Sequence, residues 1–232
     1  MKNRIYLLPG LMNNGSLWDK IRSSLEKDFE LIDIPIPLTT DFNEAVEQLD
    51  HFFVDEKINL LGFSLGAYLA SFYTIKRVGK VKKLMLVSGT PSSLSEVEVR
   101  KREIILKQMD SLKFKKLTTK NIKALLEKKN QDNKELIDLI EKMFKSFSLD
   151  EYKIQLSSTF NRVDIYDQLL SLSIPINFVF SQKDRLLNHN SLEKIGVDNK
   201  NIILKQLKGH SHMIPLEQPK LLCSEINSWM AR

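Results

Sequence analysis

The chain has 232 residues, a formal net charge of +6, 42% hydrophobic residues and 28% charged residues. This composition is typical of one large globular domain and excludes a disordered or fibrous chain. The single cysteine excludes an internal disulfide, and four histidines with one cysteine exclude a cysteine-rich zinc site. The low cysteine count and the absence of a secretory signal pattern at the N-terminus predict a cytoplasmic protein.

Six short apolar segments are predicted to be parallel strands, because they alternate with helical patterns. None of them alternates polar and apolar residues, which predicts that helices cover every strand on both faces. The predicted strands are Ile5–Leu8, Phe29–Ile34, Ile58–Leu61, Leu84–Val87, Ile176–Phe180 and Ile202–Leu207. The predicted crossover helices are Leu17–Leu25, Phe42–Phe53 and Gly66–Val78, and a last helix is predicted from about Leu216 to Met230.

The region from Ile58 to Ile75 has no charged residue over 18 positions, which is the nominal length of a membrane helix. It also contains two glycines and several polar residues, including Ser64. A buried strand, a tight turn and a buried helix explain this pattern better, so no membrane span is expected.

Residues 91–173 are predicted to form a helical insertion between the fourth and fifth strands. The segment has no good strand candidate, and it contains three helix start signals. These signals are Ser95-x-x-Glu98, Asp132-x-x-Glu135 and Ser148-x-x-Glu151. Four or five helices are expected here, with residues 1–90 and 174–232 forming the core.

The motif Gly62-Phe63-Ser64-Leu65-Gly66 follows the third predicted strand and begins a helix. A serine on such a turn is raised above the sheet edge, and small neighbours avoid collisions around it. The helix N-terminus beneath it favours developing negative charge. We therefore predict Ser64 as a nucleophile; the alternative is a loop that only needs small residues.

A serine hydroxyl needs a base and an acid before it reacts at neutral pH. His210 and His212 follow the last predicted strand, so either can reach the sheet edge where Ser64 lies. Asp184 follows the fifth predicted strand and reaches the same edge, although it could be an ordinary turn residue. Asp164 and Asp167 precede that strand, so they are expected at the opposite side or in the insertion. Histidines His51 and His189 lie in a helical pattern and in a polar segment, and are weaker candidates.

Two backbone N–H groups are predicted to stabilise an oxyanion. One belongs to Leu65, which follows the serine. The other belongs to Leu11, because Gly10 permits a sharp turn after the first strand. The alternative for this second segment is a Pro-Gly turn that simply ends the strand.

Three segments resemble the α/β-hydrolase superfamily, and the resemblance covers nearly the whole chain. Leu8-Pro9-Gly10-Leu11 with Trp18 resembles the oxyanion loop of small bacterial esterase-like members, with Pro9 where the family usually has histidine. Ser181–Asp184 matches the acid turn, and Gly209–His212 with Leu216–Pro219 resembles the family ending. The resemblance implies six mostly parallel strands in order 2-1-3-4-5-6, helices on both faces and a helical cap after strand 4. The spacing between the histidine and Leu216 in the family ending selects His212 as the base, and His210 is then expected to line or support the loop.

The resemblance also implies a serine esterase, in which Ser64 attacks, His212 moves the proton and Asp184 orients the histidine. Neither a metal nor an organic cofactor is then required. Thioesterase chemistry, a C–C hydrolase or lyase of the menaquinone-pathway kind, and a non-catalytic ligand receptor are the alternatives. Six residues are proposed from the pattern to line the substrate pocket, although helix packing explains them equally well. They are Trp18, Met109, Phe114, Phe144, Phe147 and Phe160.

Positive charge is concentrated between Arg100 and Lys129, where eleven Lys or Arg residues accompany three acidic residues. The simple explanation is a solvated face of the cap helices. The alternative is steering of an anionic substrate or of an acidic carrier protein, as in the similar pimeloyl-carrier-protein methyl ester esterases, with Lys113, Lys115 and Lys116 as the residues to neutralise. No nucleic-acid-binding module is recognised, so nucleic acid is not an expected partner.

Overall fold

A sheet of six parallel strands forms the centre of the protein in the computed structural model, which describes residues 2–109, 117–195 and 199–232. The strands are β1 (Asn3–Leu8), β2 (Phe29–Asp33), β3 (Ile58–Phe63), β4 (Val81–Val87), β5 (Ile176–Ser181) and β6 (Ile202–Leu207). Their order is β2-β1-β3-β4-β5-β6, and each neighbouring pair is parallel. The predicted fold class and strand order are confirmed.

The strands differ in how completely helices cover them. All residues of β3 and β5 are buried, as the sequence predicts. The outer strands β2 and β6 are largely exposed or half-buried, so the expectation of cover on both faces is wrong for them. An outer strand has a neighbouring strand on one side only, and the helices above and below the sheet cover it less completely.

Helices pack on both faces of the sheet. They are α1 (Asp19–Leu25), which follows a short 3-10 helix at Gly15–Trp18, α2 (Phe42–Asp50), α3 (Leu65–Lys76), α9 (His189–Glu193), α10 (Ile214–Glu217) and α11 (Pro219–Ala231). One hydrophobic cluster joins α1 and α11 to one face of the sheet, and a second joins α2 and α3 to the other. The prediction of a single last helix is wrong. Pro219 forces Gln218 out of the helical conformation, and this residue separates α10 from α11.

The described residues between β4 and β5 contain helices and no strand. The helices are α4 (Glu96–Met109), α5 (Thr119–Leu125), α6 (Lys134–Lys145), α7 (Leu149–Ser158) and α8 (Tyr166–Leu170), with short 3-10 helices at Lys128–Asn130 and Thr159–Asn161. We call the segment of residues 91–173 the cap. Its division from the core at residues 91 and 173 stays a prediction.

The predicted start signals of the cap helices are mostly right. Ser95 and Glu98 exchange side-chain and backbone hydrogen bonds, and Ser148 and Glu151 form the same reciprocal box. The signal for α6 lies one residue later than predicted, because the side chain of Asn133 caps this helix.

The uncharged region from Ile58 to Ile75 forms β3, the turn at Ser64 and most of α3. In the part of the chain that the structure describes, no helix combines the length and the apolar character needed to cross a bilayer.

Candidate active site

Ser64 lies on a tight turn between β3 and α3 with a strained backbone. Its φ of 53° and ψ of −113° belong to a region that residues with a Cβ rarely adopt. The turn is held because the Ser64 N–H donates to the Val87 carbonyl at 2.9 Å and the Ser64 carbonyl accepts from the Ala67 N–H at 3.0 Å. The strain is therefore maintained by β4 on one side and by the first turn of α3 on the other.

Gly62 and Gly66 are required by close packing around this turn. A Cβ atom on Gly62 would collide with the backbone of Gly66, and one on Gly66 would lie 2.5 Å from the Leu8 carbonyl oxygen. Because those neighbours are backbone atoms, they cannot rotate away. The glycines of the motif thus let α3 begin directly against the end of β1, and the strained serine lies between them.

Ser64, Asp184 and His212 form one chain of hydrogen bonds. The Nδ1 atom of His212 lies 2.7 Å from Oδ2 of Asp184, and its Nε2 atom lies 3.1 Å from Oγ of Ser64. Asp184 is 1% exposed and His212 is 5% exposed. A carboxylate can only accept a hydrogen bond, so Nδ1 carries the proton and Nε2 is free to accept the proton of Ser64.

These side chains come together because each follows a parallel strand at the same sheet edge. Asp184 lies in the turn after β5, and the Leu186 N–H donates to its other oxygen at 2.9 Å. The Lys183 N–H donates to the Gly209 carbonyl at 2.9 Å, which joins the acid loop to the loop after β6. The ring of His212 also packs 5.2 Å from the ring of Phe63, centre to centre.

The structure places His212 at the serine and the other histidines elsewhere. The backbone N–H of His210 donates to the carboxylate of Glu127 in the cap. The Nε2 atom of His189 lies 2.8 Å from the backbone oxygen of Asp184, a contact that the sequence analysis did not anticipate. Only the spacing of five residues from Asp184 could have indicated it. His51 is exposed at the end of α2.

Leu11 and Leu65 belong to two segments that adjoin Ser64. Leu65 is the first residue of α3, and Leu11 follows Gly10, on which a Cβ atom would lie 3.1 Å from the Cβ of Ser64. Among the described residues, neither N–H group donates a hydrogen bond. Both groups therefore keep a free donor beside the Ser64 turn.

A buried glutamine of the cap holds the loop that carries Leu11, and the sequence analysis did not find it. Oε1 of Gln155 in α7 accepts a 2.8 Å hydrogen bond from the N–H of Met12, whose φ is 57°. Nothing in the local pattern of α7 distinguishes this residue, because its partner lies 143 positions away.

The residues predicted to line the pocket are divided among different places. Met109 and Phe144 are buried in the hydrophobic cluster shared by the cap and the core. Trp18 and Phe147 line a cavity of about 470 Å³ that Ser64 does not line. Phe160 is half-buried in the 3-10 helix Thr159–Asn161. Phe114 lies outside the described residues.

A half-buried arginine of the cap lies above the first turn of α3. Arg162 donates from Nε to the Ser92 carbonyl at 2.9 Å and from a terminal nitrogen to the Thr90 carbonyl at 3.1 Å, and its guanidinium lies 4.5 Å from the ring centre of Tyr68. Burial, and then the positive charge of Arg102, lower the pKa of Arg162 to about 10. The guanidinium is still charged at neutral pH.

Charged groups of both signs surround Arg162: Arg102 and Glu98 act on its pKa, and Asp164 acts together with it on Tyr68 and Tyr166. Glu98 pairs with Arg102 at 3.8 Å, and its negative charge partly offsets the lowering of the Arg162 pKa. Two of the five N–H donors of Arg162 are used within the described residues. Tyr68 lies four residues after Ser64 on α3, which is about 6 Å along the helix axis.

The described residues give no support for a metal centre. Across residues 2–109, 117–195 and 199–232, no group of three or more His, Cys, Asp or Glu side chains is arranged to hold a metal ion.

Comparison with known proteins identifies the family. No curated protein is similar enough in sequence to match the chain. Among solved structures, an esterase from Thermogutta terrifontis is 19% identical with a TM-score of 0.85, over 100% of this chain and 90% of the other. The enol-lactonase of Burkholderia xenovorans is 11% identical with a TM-score of 0.83, over 100% and 92%. MenH from S. aureus is 18% identical with a TM-score of 0.79, over 99% and 93%. The family model for the alpha/beta hydrolase fold matches residues 35–219, and the chain belongs to this family.

Proposed function

We propose that this protein is a serine hydrolase that cleaves carboxylic esters through an acyl-enzyme. The observation that carries the proposal is the hydrogen-bonded chain from Asp184 through His212 to the strained Ser64. A serine becomes a nucleophile when a base within hydrogen-bond reach removes its proton and a third group orients that base.

In the first half of the reaction, Oγ of Ser64 attacks the ester carbonyl while Nε2 of His212 takes its proton. Asp184 stabilises the imidazolium that forms, and the N–H groups of Leu11 and Leu65 bind the oxyanion. The imidazolium then gives the proton to the leaving alcohol, and the acyl group remains on Ser64. In the second half, His212 takes a proton from water, the resulting hydroxide attacks the acyl-enzyme, and Ser64 regains its proton.

The expected result for the unmodified protein is hydrolysis of simple p-nitrophenyl esters, together with covalent labelling of Ser64 by a fluorophosphonate probe. A panel of acyl chains from acetate to octanoate measures both the activity and the preferred length. Labelling without ester turnover would instead favour the thioesterase, lyase or C–C hydrolase alternatives, which use the same three residues. Absence of both would contradict the proposal and favour a non-catalytic receptor.

An anionic acyl group is the substrate class that Arg162 favours. Arg162 keeps N–H donors that are unused within the described residues, and its guanidinium lies over Tyr68 in the helix that begins directly after Ser64. A carboxylate on the substrate would pair with these donors through charged hydrogen bonds. Nothing in the described residues supports docking of an acidic carrier protein, and Lys113, Lys115 and Lys116 lie outside them.

Replacing Arg162 is therefore expected to lower kcat/KM for an anionic ester more than for a neutral ester. We expect Arg162→Met to lower kcat/KM for the mono-p-nitrophenyl ester of suberic acid by about 10- to 100-fold, because a charged hydrogen bond is lost. The p-nitrophenyl ester of octanoic acid has the same chain length without the charge, and its kcat/KM should stay within about 3-fold.

Arg100→Gln, which removes a positive charge from an exposed position of α4, is the matched control. It should leave the ratio of the two kcat/KM values unchanged. Equal losses on both esters with Arg162→Met would contradict the assignment of an anionic substrate and indicate a structural role for Arg162.

A further inference from the structure

The loop that carries His212 is held by the cap. The N–H groups of His210 and Ser211 both donate to Oε1 of Glu127, at 2.5 and 2.9 Å. The next N–H, that of His212 itself, donates to the Leu125 carbonyl at 2.9 Å. Three consecutive N–H groups of the histidine loop thus find their acceptors on a short segment at the end of α5.

A second carboxylate fixes Glu127 from the opposite side. Oε1 of Glu217 accepts from the Glu127 N–H at 3.0 Å and from the Asn130 side chain at 2.7 Å. Its Oε2 accepts from the hydroxyl of Ser211. Glu217 belongs to α10, directly after the histidine loop, so the loop and the cap segment hold each other through both carboxylates.

The histidine loop is shaped around the carboxylate of Glu127. Gly209 has a φ of 112°, and a Cβ atom there would collide with Oε1 of Glu127. The carbonyl of the same glycine accepts from the N–H of Lys183, beside Asp184. A continuous set of contacts therefore runs from the cap through the histidine loop to the acid loop.

We propose that Glu127 is a positioning residue that couples the packing of the cap to the assembly of Ser64, His212 and Asp184. Without its acceptor oxygen, two N–H groups of the histidine loop lose their partners, and an unpaired buried N–H is costly. The loop would then relax and move the imidazole out of reach of Ser64. This inference rests on the proposed hydrolase function and adds that catalysis needs the cap seated on the histidine loop.

Two substitutions of Glu127 separate positioning from charge. We expect Glu127→Ala to lower kcat for p-nitrophenyl butyrate by about 10- to 100-fold, because small displacements of a catalytic group have effects of this size. KM should change by less than about 2-fold, because Glu127 does not touch the substrate. Glu127→Gln keeps an acceptor oxygen and should recover kcat to within about 5-fold of the unmodified protein. Among the described residues, the other oxygen of Glu127 accepts no hydrogen bond, so an amide nitrogen there breaks none.

Glu141→Ala is the matched control, because Glu141 is a cap carboxylate that pairs with Lys145 on α6, away from the histidine loop. It should leave kcat unchanged. A kcat for Glu127→Ala equal to that of the unmodified protein would overturn the proposal, as would a Glu127→Gln variant as inactive as the alanine variant.

A spectroscopic measurement tests the geometry without depending on activity. The proton shared by Nδ1 of His212 and Asp184 should give a far-downfield proton resonance, present in the unmodified protein and in Glu127→Gln but lost in Glu127→Ala. If the unmodified protein has no esterase activity, the proposed function fails while this resonance still decides the positioning role. If activity is present and the resonance survives in a folded Glu127→Ala variant, the positioning role fails.

Discussion

Ser64→Ala is expected to lower kcat for ester hydrolysis by about 10⁴- to 10⁶-fold, because it removes the oxygen that forms the acyl-enzyme. Alanine keeps a Cβ atom at the same strained φ, and the Ser64 side chain is not buried. The thermal unfolding midpoint should therefore change little. The measurement combines steady-state hydrolysis of a p-nitrophenyl ester with the extent of labelling by a fluorophosphonate probe.

Ser71→Ala is a suitable control on the same helix. The hydroxyl of Ser71 donates to the carbonyl of Ala67 inside α3 and lies two turns beyond the nucleophile. Its removal should leave both kcat and labelling unchanged. Substantial hydrolysis or labelling by the folded Ser64→Ala variant would mean that another residue is the nucleophile, and the proposed function would then have to be abandoned.

Asp184→Asn should lower kcat by about 10⁴-fold with little change in the fold. The amide nitrogen of asparagine can donate to Nδ1 of His212, which favours the tautomer with its proton on Nε2. Nε2 then faces Ser64 with a proton instead of a lone pair, and it cannot act as the base. The same change should slow fluorophosphonate labelling, because labelling also requires removal of the serine proton.

The control for Asp184 is Asp167→Asn, at an exposed position in the first turn of α8. It should have normal kcat. A double variant, Ser64→Ala with Asp184→Asn, should be no slower than Ser64→Ala alone, because residues that act as a unit are not additive. If Asp184→Asn stayed within about 10-fold of the unmodified protein, Asp184 would not be the orienting acid.

Much of the fold could be predicted from the sequence because it depends on local patterns. Apolar segments separated by helical patterns are enough to predict a parallel sheet, and a resemblance to a known family supplied the strand order. The exposure of β2 and β6 could not be read in this way, because burial depends on which strands lie at the edges. The break at Pro219 is a local signal, because the residue before a proline disfavours the helical conformation, although the apolar pattern around it predicts one helix.

The candidate site likewise combines features that the sequence predicts with features that only the structure shows. Ser64, Asp184 and the histidine loop each follow a predicted strand, and in a parallel sheet the residues after the strands share one edge. That rule brings them to the same region but not to hydrogen-bonding distance. The choice between His210 and His212 depended on family spacing, and the coordinates place His212 against Ser64 while the backbone of His210 binds the cap. The catalytic roles of Ser64, Asp184 and His212 stay predictions.

By itself, the sequence determined the α/β class, the helical insertion and the edge at which serine, aspartate and histidine gather, because short-range periodicity and turn chemistry encode these features. Only the tertiary structure decided that Glu127 holds the histidine loop, that Gln155 holds the loop before α1 and that Arg162 lies over α3. Each of these contacts joins segments 80 or more residues apart, as in the 83-residue separation of Glu127 and His210. Such contacts depend on how the cap packs on the core, and no local pattern around either partner encodes that packing.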